Sequence, residues 1–287
     1  MSPSPLIGHS VDRMNGAGNK ILVLDRRGGL PLPTPEEARA LQAAPGLDYD
    51  QMMVIADPRM AGTLAYVPIY NNDGSLAGAC GNGTRCVADR LARETGEAVF
   101  AIETERGRIS CERLGEWRYR VDMGEPRFGW REIPLSGPVG SVDSVEVTLD
   151  GAPDLGAASV VNMGNPHVVF FVADVAAAPV ETWGPRFETH PLFPEKVNVS
   201  FAEIVARDHI KLRVWERGVG ITLACGSAAC ATLVAAARRG LTEREARVDL
   251  PGGTLTIGWR EADGHVLMSG PVEFERRIEL SAAIFGG

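Results

Sequence analysis

The chain repeats a set of short motifs at a nearly constant interval. Cys80 and Cys225 each stand in an Ala-Cys-Gly turn directly before a helical pattern, 145 positions apart. Two glycine-rich turns end at Asn19 and Asn165, which lie 146 positions apart, and further glycines keep the same interval. Similarity that recurs at one interval and in one order indicates two copies of a single structural unit.

The hydrophobic pattern of each copy favours strands over helices. Apolar or alternating runs bounded by Gly, Pro and Asp recur in both halves and predict strands. Helices are predicted at residues 33–44, after Cys80 and after Cys225, with a helical turn around residues 183–190. We therefore expect an α+β fold of two pseudo-symmetric domains from an internal duplication. Each would be a curved mixed or barrel-like sheet around a central helix, with the active site in the cleft between them.

The domain boundary is predicted in the polar, proline-bearing stretch that follows the first copy, near Glu125. The predicted domains are residues 1–125 and residues 126–274. Residues 275–287, which open with a strand-like pattern, are expected to return to the first domain.

Composition excludes several classes of function. The chain has 287 residues, 45% of them hydrophobic, and no apolar run approaches the roughly 20 residues of a membrane span. A net charge of −8 with scattered basic residues disfavours nucleic-acid binding. The amino-terminal residues lack a signal-peptide pattern, and an odd count of five cysteines favours free thiols in a reducing compartment. We expect a cytoplasmic protein without membrane or nucleic-acid partners.

The position of Cys80 and Cys225 suggests that their thiols take part in a reaction. At a helix start, backbone N–H groups and the helix dipole stabilise an anion, so a thiol there can have a lowered pKa and act as a base. Cys86, Cys111 and Cys230 have apolar neighbours at helical or strand spacing and are expected to be core residues. Core packing is also the competing interpretation for Cys80 and Cys225 taken singly; their symmetric repetition argues against it.

Two opposed thiols suit inversion of a carbon next to a carboxylate. One thiolate removes the proton from one face and one thiol delivers a proton to the other, with the roles exchanged in the reverse direction. The N–H groups of the two helix starts would hold the carboxylate. Such a reaction needs no cofactor; the histidines have no metal-ligand spacing and the glycine runs fit no nucleotide motif, so we expect neither a metal nor a nucleotide.

The repeat also pairs polar residues that could bind a substrate. Amide side chains offer both donors and acceptors, and an Arg can bind a carboxylate through two hydrogen bonds. A turn or cap role competes for each lone Asn, and a surface ion pair competes for Glu216 and Arg217. His167, in the second glycine turn, is either a polar site residue or a satisfied core histidine. The paired candidates are Asn19 with Asn165, Gln51 with Asn198, and Asn71 with Glu216, next to Arg217.

From about Met14 to Pro271 the sequence resembles the diaminopimelate epimerases, which interconvert LL- and meso-diaminopimelate on the bacterial route to lysine and peptidoglycan. The resemblance rests, in order, on MNGAGN, DYDQ, YNNDGS, ACGNGTRC, VNMGNPH, EKVNVSF, VWERG and ACGSAACA. It departs from the family at Lys20, Ile21 and Ile221, and where the second cysteine motif reads CGSAA instead of CGSGA. These departures remove no proposed catalytic atom but bear on substrate preference.

The resemblance implies a cofactor-independent reaction in a cytoplasmic homodimer. It implies that Cys80 and Cys225 are the two bases and that His167 lies beside the reacting centre. By the same resemblance, the residues that would bind substrate are Asn19, Gln51, Asn71, Gly81, Asn82, Asn165, Asn198, Glu216, Arg217, Gly226 and Ser227.

Three alternatives remain open on the sequence. Cys80 and Cys225 could form a reversible disulfide in a thiol redox protein, although this explains neither the amide residues nor Glu216 and Arg217. A proline or hydroxyproline racemase of the same two-thiol type is closer, but the acid-base pair favours a substrate with a second charged end. A non-catalytic amino-acid-binding module is the third alternative.

Overall fold

The computed structural model describes residues 3–285, which form two compact units. The first unit contains the described residues up to Val121 together with those from Ser269 onward, and the second is Asp122–Met268. The divisions therefore fall a few residues before the boundaries that the sequence predicts, 125/126 and 274/275. The last two residues of the predicted returning segment lie outside the described residues.

Helices and strands follow one another in the same order in both repeats. In the first repeat they are β1 (Ser10–Gly16), β2 (Asn19–Asp25), α1 (Pro35–Ala43), β3 (Gln51–Ile55), β4 (Ile69–Asn71), β5 (Leu76–Ala77), α2 (Gly81–Thr95), β6 (Val99–Thr104), β7 (Gly107–Gly115) and β8 (Arg118–Asp122). In the second they are β9 (Ser159–Asn162), β10 (Pro166–Phe171), α3 (Val180–Glu188), β11 (Asn198–Ala206), β12 (His209–Glu216), β13 (Gly220–Ile221), α4 (Gly226–Arg238), β14 (Glu245–Leu250), β15 (Gly253–Trp259) and β16 (Val266–Pro271). β17 (Glu273–Glu279) and a short 3₁₀ helix (Ala282–Phe285) follow. The α+β class and the duplication are confirmed.

Each unit contains both parallel and antiparallel strand pairs, and one parallel pair recurs at the equivalent place in the two repeats. In the first unit β17, β1, β2, β3, β4 and β5 form a sheet in that order, with β2 and β3 parallel and the other neighbours antiparallel. In the second unit β10 and β11 are parallel and are flanked by antiparallel β9 and β12, and β12 also pairs in parallel with β14. The parallel register aligns Ile21 with Gln51 in one unit and His167 with Asn198 in the other. Gln51 and Asn198, which the repeat makes equivalent, therefore lie at the same end of the parallel pair in each sheet.

One helix in each unit is enclosed by strands. α2 packs against β1, β2, β3 and β7, and α4 packs against β9, β10, β11, β12, β14 and β15. In α4 every residue from Ala228 to Ala236 is buried, because alanines and a cysteine let the strands approach closely on all sides. The enclosed helices begin directly after Cys80 and Cys225, so each cysteine is the N-cap of a buried helix.

The other two helices cover the opposite faces of the sheets. α1 starts with a capping box, in which Thr34 and Glu37 satisfy each other's backbone N–H groups. α3 contains Pro185 and packs Phe187 against Phe170 of β10 with ring centroids 4.7 Å apart. The sequence predicts only a helical turn at α3, yet nine residues are helical there because burial of the apolar face outweighs the helix-breaking Gly-Pro pair.

Candidate active site

Cys80 caps α2 with its own sulfur. Its backbone is extended at φ −150°, and its Sγ accepts a hydrogen bond from the Gly83 N–H at 3.2 Å. A donor aimed at sulfur at a helix start favours the thiolate form. A Cβ on Gly83 would lie 2.5 Å from Met53 Sδ and 3.2 Å from Cys80 Sγ. Glycine at this position therefore lets the helix start lie close to both sulfurs.

The turn between β1 and β2 lies directly against the start of α2. A Cβ on Gly16 would be 2.9 Å from the backbone oxygen of Asn82, so only glycine fits without displacement. Asn82 is buried, and its Oδ1 accepts a hydrogen bond from Arg85. Asn19, which pairs with Gly16, is half-buried at the start of β2. The predicted first-copy residues Asn19, Gly81 and Asn82 thus belong to one packed region beside Cys80.

Gln51 and Asn71 are neighbours on β3 and β4. They are directly opposed in the antiparallel register, with Gln51 Nε2 3.5 Å from Asn71 Oδ1. Asn71 Nδ2 donates to the Ser75 hydroxyl at 3.0 Å. The two amides that the sequence pairs with the second copy are therefore brought together within the first unit.

Cys225 has different surroundings from Cys80. It caps α4 in an extended conformation, with its Sγ 3.6 Å from the Ser227 hydroxyl. Burial raises the pKa of the Cys225 thiol well above its ordinary value, and the hydrogen-bonded carboxylate of Glu216 raises that pKa further. The helix start alone suggests a lowered pKa; here burial and a neighbouring negative charge outweigh it. Cys225 is accordingly a protonated thiol.

A chain of polar contacts leads from Ser227 to His167. The Asn165 amide donates to the Ser227 hydroxyl at 3.3 Å, and its oxygen lies 2.9 Å from His167 Nε2. His167 is fully buried. The second glycine turn is thereby tied to the start of α4, which brings Asn165, His167, Gly226 and Ser227 into one region with Cys225.

Asn198 connects the second sheet to Arg217. Its Nδ2 donates to the Pro166 carbonyl at 2.9 Å, and its Oδ1 accepts from the Arg217 N–H at 3.0 Å. Asn198 is buried, whereas Arg217 is partly exposed and donates from its guanidinium to the Glu195 carbonyl at 3.1 Å. The side-chain nitrogen and oxygen of Asn198 both bind backbone groups, so this residue stabilises the backbone of the site.

Each unit therefore brings together its own set of predicted residues. In the first unit these are Asn19, Gln51, Asn71, Cys80, Gly81 and Asn82; in the second they are Asn165, His167, Asn198, Glu216, Arg217, Cys225, Gly226 and Ser227. The sequence interpretation missed Gly83 and also Thr222, whose hydroxyl donates to Glu216. The Gly-Asn-Gly run after Cys80 is the signal from which the role of Gly83 could have been found.

Other features bear on the class of site. All five cysteines are free thiols. Among residues 3–285, no group of His, Cys, Asp or Glu side chains is arranged to hold a metal ion. No helix in the same range is long and apolar enough to cross a membrane.

Comparison with known families identifies the duplicated unit. The family model described as diaminopimelate epimerase matches twice, at residues 13–129 and residues 159–275. The two matches begin 146 positions apart, the interval at which the glycine turns recur. Together they cover most of the chain.

Curated relatives extend the match over nearly the whole length. A diaminopimelate epimerase of Methylocella silvestris is 51% identical over 284 residues, covering 98% of each chain. A diaminopimelate epimerase of Nitrobacter hamburgensis is 50% identical over 288 residues, again covering 98% of each chain.

Solved structures with low sequence identity share the fold. A phenazine biosynthesis protein of the PhzF family from Bacillus anthracis has a TM-score of 0.69 at 14% identity, covering 95% of this chain and 98% of that one. A hydroxyproline epimerase from Agrobacterium vitis has a TM-score of 0.67 at 14% identity, covering 97% and 94%. The family model and the curated relatives, with the repeated N-cap cysteines, show that this chain belongs to the diaminopimelate epimerase family, which is a family of isomerases.

Proposed function

We propose that this protein interconverts LL- and meso-diaminopimelate without a cofactor, using Cys80 and Cys225 as the two acid-base groups. Family membership supports the substrate and the reaction. The observation that carries the mechanism is the pair of cysteines that occupy equivalent N-cap positions on two buried helices. This position would let the helix start beside each thiol bind the carboxylate next to the reacting carbon.

The different surroundings of the thiols suggest their roles in the resting enzyme. Both thiols are buried, but Cys80 Sγ accepts a hydrogen bond from the Gly83 N–H, which favours an anion at sulfur, whereas Cys225 lies against the Glu216 carboxylate, which keeps it protonated. In one direction, the Cys80 thiolate takes the α-proton and the Cys225 thiol delivers its proton to the opposite face of the carbanion. The sulfurs end with exchanged protonation states, and the reverse reaction uses them in reverse.

The N–H groups at both helix starts would stabilise the negative charge that develops on the carboxylate during proton transfer. We assign this role to the N–H groups of Gly81, Asn82, Gly226 and Ser227, since an N-terminal turn leaves such groups without helical partners. His167 would support the second helix start through Asn165.

The remaining polar residues would bind the second charged end of the substrate. Arg217 offers a guanidinium for the distal carboxylate, and Glu216 offers a carboxylate for an ammonium group. The amides of Asn19, Gln51, Asn71, Asn165 and Asn198 would supply further hydrogen bonds. A proline-type substrate has no second charged end, so this arrangement favours diaminopimelate over proline or hydroxyproline.

Alanine variants of the cysteines test the mechanism. Cys80→Ala and Cys225→Ala should each lower epimerase kcat/KM by roughly two to four orders of magnitude, because one face of the carbon loses its proton carrier. Cys86→Ala and Cys230→Ala are matched controls, since these buried thiols lie on the same two helices. The controls should keep activity near that of the wild type. Wild-type turnover in Cys80→Ala or Cys225→Ala, folded by circular dichroism, rules out the two-base mechanism.

We also propose that the protein acts in the cytoplasm as a homodimer. A reducing compartment agrees with five free thiols, two of which must stay reduced for catalysis. Light scattering on the purified protein tests the assembly: a mass near twice 30.7 kDa is expected, and a monomer at assay concentrations contradicts this proposal.

A further inference from the structure

Glu188, the last residue of α3, carries a carboxylate that the proposed reaction does not use. Its side chain is only 8% exposed. One oxygen accepts from the Trp215 indole N–H at 2.7 Å, and the other accepts from the Gly218 backbone N–H at 2.9 Å. A buried carboxylate needs such donors, because an unpaired charge in the interior is costly. The two donors flank Glu216 and Arg217 on either side.

A third contact joins the same carboxylate to the turn that supports the Arg217 guanidinium. The Lys196 ammonium lies 3.5 Å from Glu188 Oε1, and the Lys196 backbone has a left-handed φ of +61°. The preceding residue, Glu195, presents the carbonyl to which Arg217 Nη1 donates at 3.1 Å. Glu188 therefore contacts both the turn that carries Arg217 and the turn that holds its side chain.

The backbone around Arg217 is fixed at two consecutive N–H groups. The N–H of Arg217 itself donates to Asn198, and the next N–H, of Gly218, donates to Glu188. In addition, a Cβ on Gly184 of α3 would lie 2.7 Å from Trp215 Cβ, so the helix that carries Glu188 presses directly on β12. These contacts fix the backbone from which the guanidinium extends.

We propose that Glu188 is a positioning residue that sets the affinity of Arg217 for the distal substrate carboxylate without touching the substrate. This inference rests on the proposed function. The carboxylate can accept from all three donors, whereas the amide of a glutamine has one acceptor oxygen and an NH₂ group that opposes a donor. Substituting the amide should therefore loosen the contact with Gly218 and shift the Arg217 side of the turn, whereas Glu216 stays held by the Thr222 hydroxyl and by its pairing with Gly220.

The test compares the KM and kcat of Glu188→Gln with those of the wild type, using diaminopimelate in the assembled, full-length enzyme. We expect KM to rise about ten- to a hundredfold, the scale of a lost charge-assisted hydrogen bond, with kcat changing much less. Glu203→Gln is the matched control, because Glu203 also accepts from a backbone N–H, at Val175, and from a lysine, Lys211. The control should lose a similar amount of thermal stability and keep the wild-type KM.

Lys196→Asn provides a second, surface variant that does not depend on the folding of a core substitution. Asparagine tolerates the left-handed backbone and removes the ammonium, so KM should rise by a few fold. An unchanged KM in Glu188→Gln, or in Lys196→Asn where the former does not fold, overturns the inference. If the wild type and Glu203→Gln show no epimerase activity, it is the proposed function that fails.

Discussion

At the scale of single residues, the two cysteines that the repeat makes equivalent have unlike chemical environments. The donor at Cys80 Sγ is the N–H of Gly83, while Cys225 lies against the carboxylate of Glu216. Sequence reasoning could place both cysteines at helix starts, because the pattern after each is local. It could not foresee the contact with Glu216, because that contact depends on how the turn between β12 and β13 folds back onto the start of α4.

Glu216→Gln should lower the pKa of Cys225. Removing the neighbouring negative charge lessens the cost of forming a second one, so the pKa of Cys225 should fall and the thiolate should appear at lower pH. The measurement is the pH dependence of Cys225 alkylation by iodoacetamide without substrate, followed by mass spectrometry of the Cys225 peptide. Glu203→Gln serves as the control. A midpoint that stays in place or rises in Glu216→Gln contradicts the assignment of Glu216 as the carboxylate that keeps Cys225 protonated.

At the scale of helices and strands, the duplication was accessible to sequence analysis because its signals are short and local. Ala-Cys-Gly turns predict the starts of α2 and α4, and apolar runs predict strands in both halves, although not which of those strands pair in parallel. The length of α3 could not be predicted from the sequence. Gly184 and Pro185 predict a break in the helix. The helix continues because Phe187 packs in the core and Gly184 packs against Trp215.

Gly16→Ala should disturb the start of α2. The new Cβ would lie 2.9 Å from the Asn82 backbone oxygen, which cannot move aside as a flexible side chain could. We expect a stability loss of about 1–3 kcal/mol, as for other overpacked sites, together with at least a tenfold fall in kcat/KM. Gly115→Ala is the matched control, because a Cβ there meets nothing within 4 Å. Equal effects of the two substitutions on activity would show that the β1–β2 turn does not position the helix start.

At the scale of the whole molecule, buried thiols couple stability to alkaline pH. Burial raises the pKa of Cys111 to about 12 and also raises the pKa of Cys86 and Cys225. In the unfolded chain these thiols ionise near their ordinary pKa of about 8.5. The unfolded state therefore binds fewer protons than the folded state above that pH, and stability falls as pH rises.

Cys111→Ala should reduce this alkaline loss. Between about pH 9 and pH 11 each buried thiol contributes a slope of about 1.4 kcal/mol per pH unit to the free energy of unfolding. Urea unfolding with a reductant, across that range, should therefore show a shallower fall for the variant than for the wild type. The cavity left by the sulfur adds an offset independent of pH, which unfolding at pH 7 measures. Parallel curves for the two proteins would contradict the burial of an un-ionised Cys111.

The most direct test of the two-thiol mechanism is the fate of hydrogen at the α-carbon in heavy water. Wild-type enzyme is incubated with LL-diaminopimelate in heavy water, and both isomers are recovered at low conversion for mass analysis. Because the thiol that delivers the proton exchanges with solvent, the meso product should carry deuterium while the remaining LL substrate keeps protium. Product that retains the substrate's protium, or substrate that gains deuterium as fast as product forms, would show one group serving both faces and would contradict the assignment of Cys80 and Cys225 as opposed bases.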